Sequence, residues 1–166
     1  MLHAGHKALL SCAFEKAGEG GALYIGLSAD SFANRKSHPV HPYEERRAEL
    51  IRWIESAGFS ASHSYTIEPL YDQYGEALSA DFDALIVSFE TYPAGERINE
   101  MRTAAGKTPV ELVRVPCVTA EDGRAVSTTR IYAGEITQSG AVSEKKCVDR
   151  GDGRDASPGP VKIIQR

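Results

Sequence analysis

Residues 5–27, GHKALLSCAFEKAGEGGALYIGL, decide the fold class. Leu9, Leu10, Ala13, Phe14 and Ala17 recur with a helical period and Gly18 stops it, which predicts an amphipathic helix over residues 5–17. Gly18 to Gly21 is a turn. Leu23-Tyr24-Ile25-Gly26-Leu27 is then a short, non-alternating apolar run, the pattern of a strand covered on both faces of a sheet.

The same alternation continues outward. Residues 30–41 read as a polar loop, and Pro42 with Glu44 and Glu45 opens a helix whose buried stripe is Leu50, Ile51, Ile54 and Ala57. Ser64 to Leu70 is β-prone, and Ala84 to Ser88 is a second buried-type strand. Ile98, Met101 and Ala105 mark a helix ending at Gly106, with Glu90 placed to cap it, and Val110 to Val115 is one more strand. Helices alternating with such strands predict an α/β fold, a parallel sheet with both faces covered. No internal repeat interrupts it.

A chain of 166 residues with 42% hydrophobic residues supports one ordinary core. The domain is expected over residues 1–136. After Gly134 the composition turns to Ser, Gly, Glu, Lys and Asp, so residues 137–166 read as a polar tail in which 161–164 is strand-like. A formal charge of −4 supplies no global positive field for nucleic acid, so any anion site must be local. No apolar run reaches the roughly 20 residues of a membrane span, and the first residues lack a signal peptide's apolar centre. Cys12, Cys117 and Cys147 are odd in number and form no C-x-x-C pair, which argues against a disulfide framework and a thiolate metal site. A soluble, cytoplasmic protein is expected. The oligomeric state is not legible.

Three clusters carry candidate chemistry. His3-Ala4-Gly5-His6 precedes the first helix, so two imidazoles and unpaired backbone N–H groups face the sheet's carboxyl edge, a geometry that suits phosphate. A metal, or incidental polar surface, remains open on this spacing alone. Ser127-Thr128-Thr129-Arg130 reads either as an ordinary helix cap or as a phosphate cradle with a compensating cation. Asn34-Arg35-Lys36-Ser37-His38 gathers cations in a loop at that same edge, where open α/β sheets bind ligands. Ser88-Phe89-Glu90-Thr91, Asp72 and Tyr74-Gly75 follow other strands and could line the crevice, and Asn99 and Arg102 lie on the next helix.

Taken in order, Leu2 to Leu10, Ile25-Gly26-Leu27 with Asp30 and Lys36, Pro42-Tyr43-Glu44-Glu45-Arg46, Asp72 with Tyr74-Gly75, Val87-Ser88 with Glu90-Thr91, Ile98-Asn99, Arg102, Ala120-Glu121-Asp122-Gly123 and Ser127 to Ile131 resemble the archaeal and eukaryotic type of phosphopantetheine adenylyltransferase. The resemblance covers about residues 2–136 and implies a Rossmann-like, three-layer nucleotidyltransferase fold. It implies transfer of AMP from ATP to 4′-phosphopantetheine, giving dephospho-coenzyme A and pyrophosphate. The nucleophile is the substrate's own phosphate, so no protein nucleophile is needed.

By this resemblance His6 contacts the α-phosphate, His3 lies at the triphosphate, and Lys36 grips the attacking phosphate. Gly5 belongs to the same turn; Ser127, Thr128 and Thr129 hold the β and γ phosphates; and Arg130 compensates the pyrophosphate. Glu90 belongs to the ATP-binding set, and Arg102 is a further anion contact. Magnesium is expected with ATP, without a protein metal cage. Partners are small molecules, with no nucleic acid and no membrane.

Tyr132 stands where the family often has a second arginine. The family also carries a strand and a glycine-rich turn ahead of the residue that is Met1 here, so the sheet is expected to lack its first strand, and a late start or shortened chain is the simplest account. Residues 160–164 filling that central gap is the disfavoured alternative. The Ser-Thr-Thr run also resembles the cytidylyltransferase branch, the enzymatic alternative. A noncatalytic adenine-nucleotide-binding module is the alternative of another class.

Overall fold

In the computed structural model, residues 2–34, 40–142 and 164–165 are described, the last pair by backbone alone. Helix α1 runs Ala4–Ala17, strand β1 Ala22–Ser28, a short α2 Asp30–Ala33, and α3 Tyr43–Ser56. Strand β2 spans Ser64–Leu70, β3 Ala84–Val87, α4 Tyr92–Ala104, β4 Glu111–Arg114, α5 Thr128–Tyr132 and β5 Ile164–Gln165. The predicted elements are present with ends shifted by one or two residues. Helix α2 corrects the expected plain loop after β1: four residues with one buried alanine leave no periodic signal.

The sheet order is β2-β1-β5-β3-β4. β1 pairs parallel with β2 over seven positions, Ala22 opposite Ser64 to Ser28 opposite Leu70, and β3 pairs parallel with β4 over four. β5 is antiparallel to both β1 and β3, so the other four strands share one direction. The sheet is therefore mixed rather than purely parallel. Ile164 lies opposite Ile25 and Ile86, and Gln165 opposite Tyr24 and Leu85. The end of the chain thus occupies the central position, the arrangement the sequence reading disfavoured, and it supplies backbone partners to strands that would otherwise face an open edge there.

Two helices cover one face of the sheet. Leu9, Leu10, Ala13 and Phe14 of α1 and Leu50 and Ile54 of α3 pack on Leu23, Ile25, Leu27, Ile67 and Ile86. Phe14 and Ile54 are fully buried, and Phe14 stacks on Phe59 with ring centroids 4.4 Å apart. The other face is covered by α4 through Ile98, packed with Ala77 on Leu85, Val87 and Val110. Ala120, Val126 and Ile136 form a separate small cluster beyond β4, so the packed chain continues past α5. Gly26 has no room for a side chain, because a Cβ there would lie 2.6 Å from Leu70 Cδ1 and 2.7 Å from its Cγ. Leu70 is itself 1% exposed, so Gly26→Ala is expected to cost about 1–3 kcal/mol in a denaturant melt.

Four strands of one direction define two edges. Ser28, Leu70, Val87 and Arg114 end at the carboxyl edge. Helix α1 returns antiparallel through the Gly18–Gly21 turn, so its first turn lies at the carboxyl edge and its last at the opposite one. The Lys16 ammonium in that last turn lies 2.8 Å from the Glu111 carboxylate at the start of β4.

Candidate active site

The first turn of α1 is set by glycine. His3 is its N-cap residue, buried to 6% exposure, and a Cβ on Gly5 would lie 3.2 Å from the His3 ring. A side chain at position 5 would crowd the imidazole. His3 and His6 stack with ring centroids 3.6 Å apart and planes 20° from parallel. The Leu2 N–H donates to Glu49 Oε1 at 2.9 Å, and the Ala4 N–H donates to the Gln138 carbonyl at 3.0 Å. These bonds tie the turn to α3 on one side and to the segment after α5 on the other.

The hydroxyl cluster meets this turn. Val126 O lies 3.8 Å from the position a Gly5 Cβ would take, so Ser127 and Thr128 begin beside the histidines although about 120 residues separate them in the chain. Ser127 is the N-cap of α5 and its Oγ accepts from the Arg130 N–H at 3.4 Å. Thr129 is exposed. A depression of about 470 Å³ lined by Ala4, Lys7, Thr137, Gln138 and Ser139 adjoins the same turn. Thr137–Ser139 fall in the stretch that the sequence reads as a polar tail.

Arg130 is held by protein acceptors on both sides of the hydroxyl cluster. Its Nε donates to Glu135 Oε2 at 2.9 Å, its Nη1 to the Ala125 carbonyl at 3.0 Å, and its Nη2 to Asp122 Oδ2. Three of its five donors are spent on protein acceptors and two carboxylates meet its charge. Its pKa is raised, first by the Glu135 hydrogen bond, against desolvation. The Asp122 carboxyl is held below its usual range, first by the Arg124 N–H and also by Arg130, against the opposing effect of desolvation.

Arg102 is corrected outright. It is 2% exposed in the last turn of α4, and donates to the carbonyls of Thr108 at 2.9 Å, Ala77 at 2.9 Å and Ala80 at 2.7 Å. Those residues precede β4 and β3, which places Arg102 at the edge opposite the histidines. Glu90 does lie at the carboxyl edge, exposed in the turn after β3, but it is not the cap of α4. Thr91 holds the cap position, its hydroxyl accepting the Ser88 N–H at 2.8 Å. Asp72 accepts the N–H groups of Tyr74 and Gly75 at 2.7 and 2.8 Å, closing the turn after β2. Lys36 lies outside the described residues.

The rim after β1 is fastened by Arg46, which donates to the Ser28 carbonyl, the His41 carbonyl and Asp30 Oδ1, each at 2.7 Å. The Arg46 hydrogen bond, helped by the Tyr43 backbone, holds the Asp30 carboxyl below its usual range. Such a pair stabilises above the ordinary carboxylate pKa and loses that contribution as pH falls through the lowered value. Asp30→Asn is therefore expected to flatten the acid limb of stability below about pH 5 in thermal melts.

Among the described residues, no three His, Cys, Asp or Glu side chains gather as a metal-binding group, and no helix is long and apolar enough to cross a membrane.

The profile of the cytidylyltransferase-like family matches residues 1–134. The phosphopantetheine adenylyltransferase of Methanosarcina acetivorans is 42% identical over 144 residues, which are 87% of this chain and 90% of that protein. Its counterpart in Methanosarcina barkeri is 44% identical over 142 residues, 86% of each chain. A crystal structure of an Archaeoglobus fulgidus protein of unknown function aligns with TM-score 0.60 and 32% identity over 68% of this chain and 80% of that one. With this breadth of identity, a Rossmann-like layered sheet, and the H-x-G-H turn set against the Ser-Thr-Thr segment, the chain belongs to the phosphopantetheine adenylyltransferases of the cytidylyltransferase-like family.

Proposed function

We propose that this chain transfers AMP from ATP to 4′-phosphopantetheine, giving dephospho-coenzyme A and pyrophosphate. The observation that carries the reading is the meeting of the His3–His6 turn with the Ser127–Thr129 segment at the carboxyl edge, in a chain 42% identical to a protein of that name. An acceptor phosphate oxygen attacks the α-phosphorus, and the bond from that phosphorus to the bridging oxygen breaks. The electron pair leaves on pyrophosphate, and no proton need move. The protein's work is placement and charge stabilisation.

In this reading His6 donates to the α-phosphate as its charge builds, and His3 lies against the triphosphate. Ser127, Thr128 and Thr129 offer hydroxyls to the β and γ phosphates, Gly5 keeps the turn open to them, and Lys36 holds the acceptor phosphate. Glu90, exposed at the same edge, is assigned to nucleotide binding. Magnesium would enter with ATP, held by phosphate oxygens and water, and would neutralise triphosphate charge. The reaction is placed in the cytoplasm, with small-molecule partners only.

Incubation with MgATP and 4′-phosphopantetheine, followed by mass spectrometry for dephospho-coenzyme A and an assay for pyrophosphate, tests this directly. Both products should appear together, and more slowly with CTP. Faster turnover with CTP would reassign the nucleotide. Binding of ATP with neither product formed would overturn the transfer reaction.

A further inference from the structure

The Ala120–Gly123 segment and Glu135 have no part in the reaction so far, yet they meet at one buried guanidinium. Arg130 is 9% exposed, and its partners come from both flanks of the hydroxyl cluster: Asp122 and Ala125 before it, Glu135 after it. Its own N–H reaches Ser127 Oγ, and its carbonyl accepts the Glu135 N–H at 3.0 Å. Asp122 Oδ1 also accepts the Arg124 N–H at 3.1 Å, which closes the turn that presents the carboxylate. A planar donor fork held by two carboxylates and a carbonyl has little rotational freedom. The backbone that carries Ser127 to Thr129 is therefore fixed on both sides of a single side chain.

We propose that Asp122 and Glu135 are positioning residues for nucleotide binding, acting through Arg130 to hold the Ser127–Thr129 segment in place. The proposal rests on the adenylyltransferase reading above and adds two acidic residues to it. Their sign makes it testable. A carboxylate near a triphosphate repels it, so by charge alone removing one should tighten ATP binding. As parts of a brace, the same carboxylates should weaken ATP binding when removed.

The experiment is calorimetric titration of MgATP into the wild-type chain and into Asp122→Asn, Glu135→Gln, Arg130→Met and the double variant Asp122→Asn/Arg130→Met. Asparagine can still accept the Arg124 N–H, so its turn is kept while the bond to Arg130 is lost. Kd is expected to rise about tenfold in Asp122→Asn and Arg130→Met, roughly the loss of a charged hydrogen bond, and less in Glu135→Gln, whose amide oxygen still accepts from Arg130 Nε. The double variant should be no weaker than Arg130→Met, because the carboxylate acts through the arginine. The KM for phosphopantetheine should stay at its wild-type value, which a general loosening of the fold would not allow. Unchanged or lower Kd in Asp122→Asn overturns the proposal, as does full additivity in the double variant. Should Asp122→Asn fail to fold, Glu135→Leu, which removes the acceptor, is compared alone and combined with Arg130→Met by the same criteria. A wild-type chain that binds MgATP but forms no dephospho-coenzyme A removes the enzymatic reading and leaves the brace to be judged on Kd. One that binds no MgATP removes both.

Discussion

His6→Ala is expected to lower kcat about a hundred- to a thousandfold while KM for ATP stays within roughly threefold of wild type. The acceptor's phosphate is already anionic at neutral pH, so the imidazole has no proton to remove from the nucleophile. What remains for it is donation to oxygens around the α-phosphorus, where charge is redistributed as one bond forms and the other breaks. A contact that strengthens only then is read in kcat, whereas the triphosphate is held before reaction by several hydroxyl and N–H groups. Two controls sharpen the expectation. Raising the pH should not restore His6→Ala, because no general base has been lost, and His6→Asn should recover part of the rate, because an amide still donates. The stacked neighbour at 3.6 Å calls for a third, His3→Ala, to show how much of the loss is the disturbed pair. If KM for ATP rises with kcat unchanged, His6 is a ground-state contact; if neither moves, it is outside the site.

Much of this arrangement is visible in the chain as written, for reasons that differ from element to element. The apolar period from Leu9 to Ala17 and the unbroken run from Leu23 to Leu27 could be read because each is long enough to show how its faces are used. Two residues cannot show a face, so the direction and central seat of Ile164–Gln165 had no signature, and the four residues of α2 had scarcely more. The convergence of His3 with Ser127 was legible through topology: segments that leave parallel strands, or enter the helices beside them, at one edge must meet there. Partners of arginines were not. Arg130 could be placed beside hydroxyls, but nothing in Asp122 or Glu135 distinguishes a carboxylate that clamps a guanidinium from one that faces water. Glu90 and Thr91 are neighbours at the start of α4, and only the backbone geometry places Thr91, one residue on, at the cap position.

Arg102 shows where residue type misleads most, and its removal should be the more damaging to the fold. An arginine on the helix after a site loop invites an anion, yet this one closes the far edge of the sheet. Its Nε and Nη1 satisfy carbonyls of Thr108, Ala77 and Ala80, and Lys107 adds a bond to the Ser79 carbonyl at 2.8 Å. At 2% exposure water has little access to replace those donors, so Arg102→Ala leaves desolvated carbonyls together with the volume of the side chain. The expected loss is about 3–5 kcal/mol, a large fraction of the stability of an ordinary domain. In a chain of this size it should lower Tm by roughly 10 °C. Arg102→Lys should recover only part, because one ammonium cannot reproduce a fork that reaches three carbonyls from two nitrogens. At a temperature where the variants remain folded, KM for ATP and for phosphopantetheine should match wild type, since the bonded carbonyls all precede the strands while the histidines stand beyond their ends. A variant that kept its Tm but bound ATP more weakly would return Arg102 to the anion site and overturn the assignment of the two edges on which the whole placement of the chemistry depends.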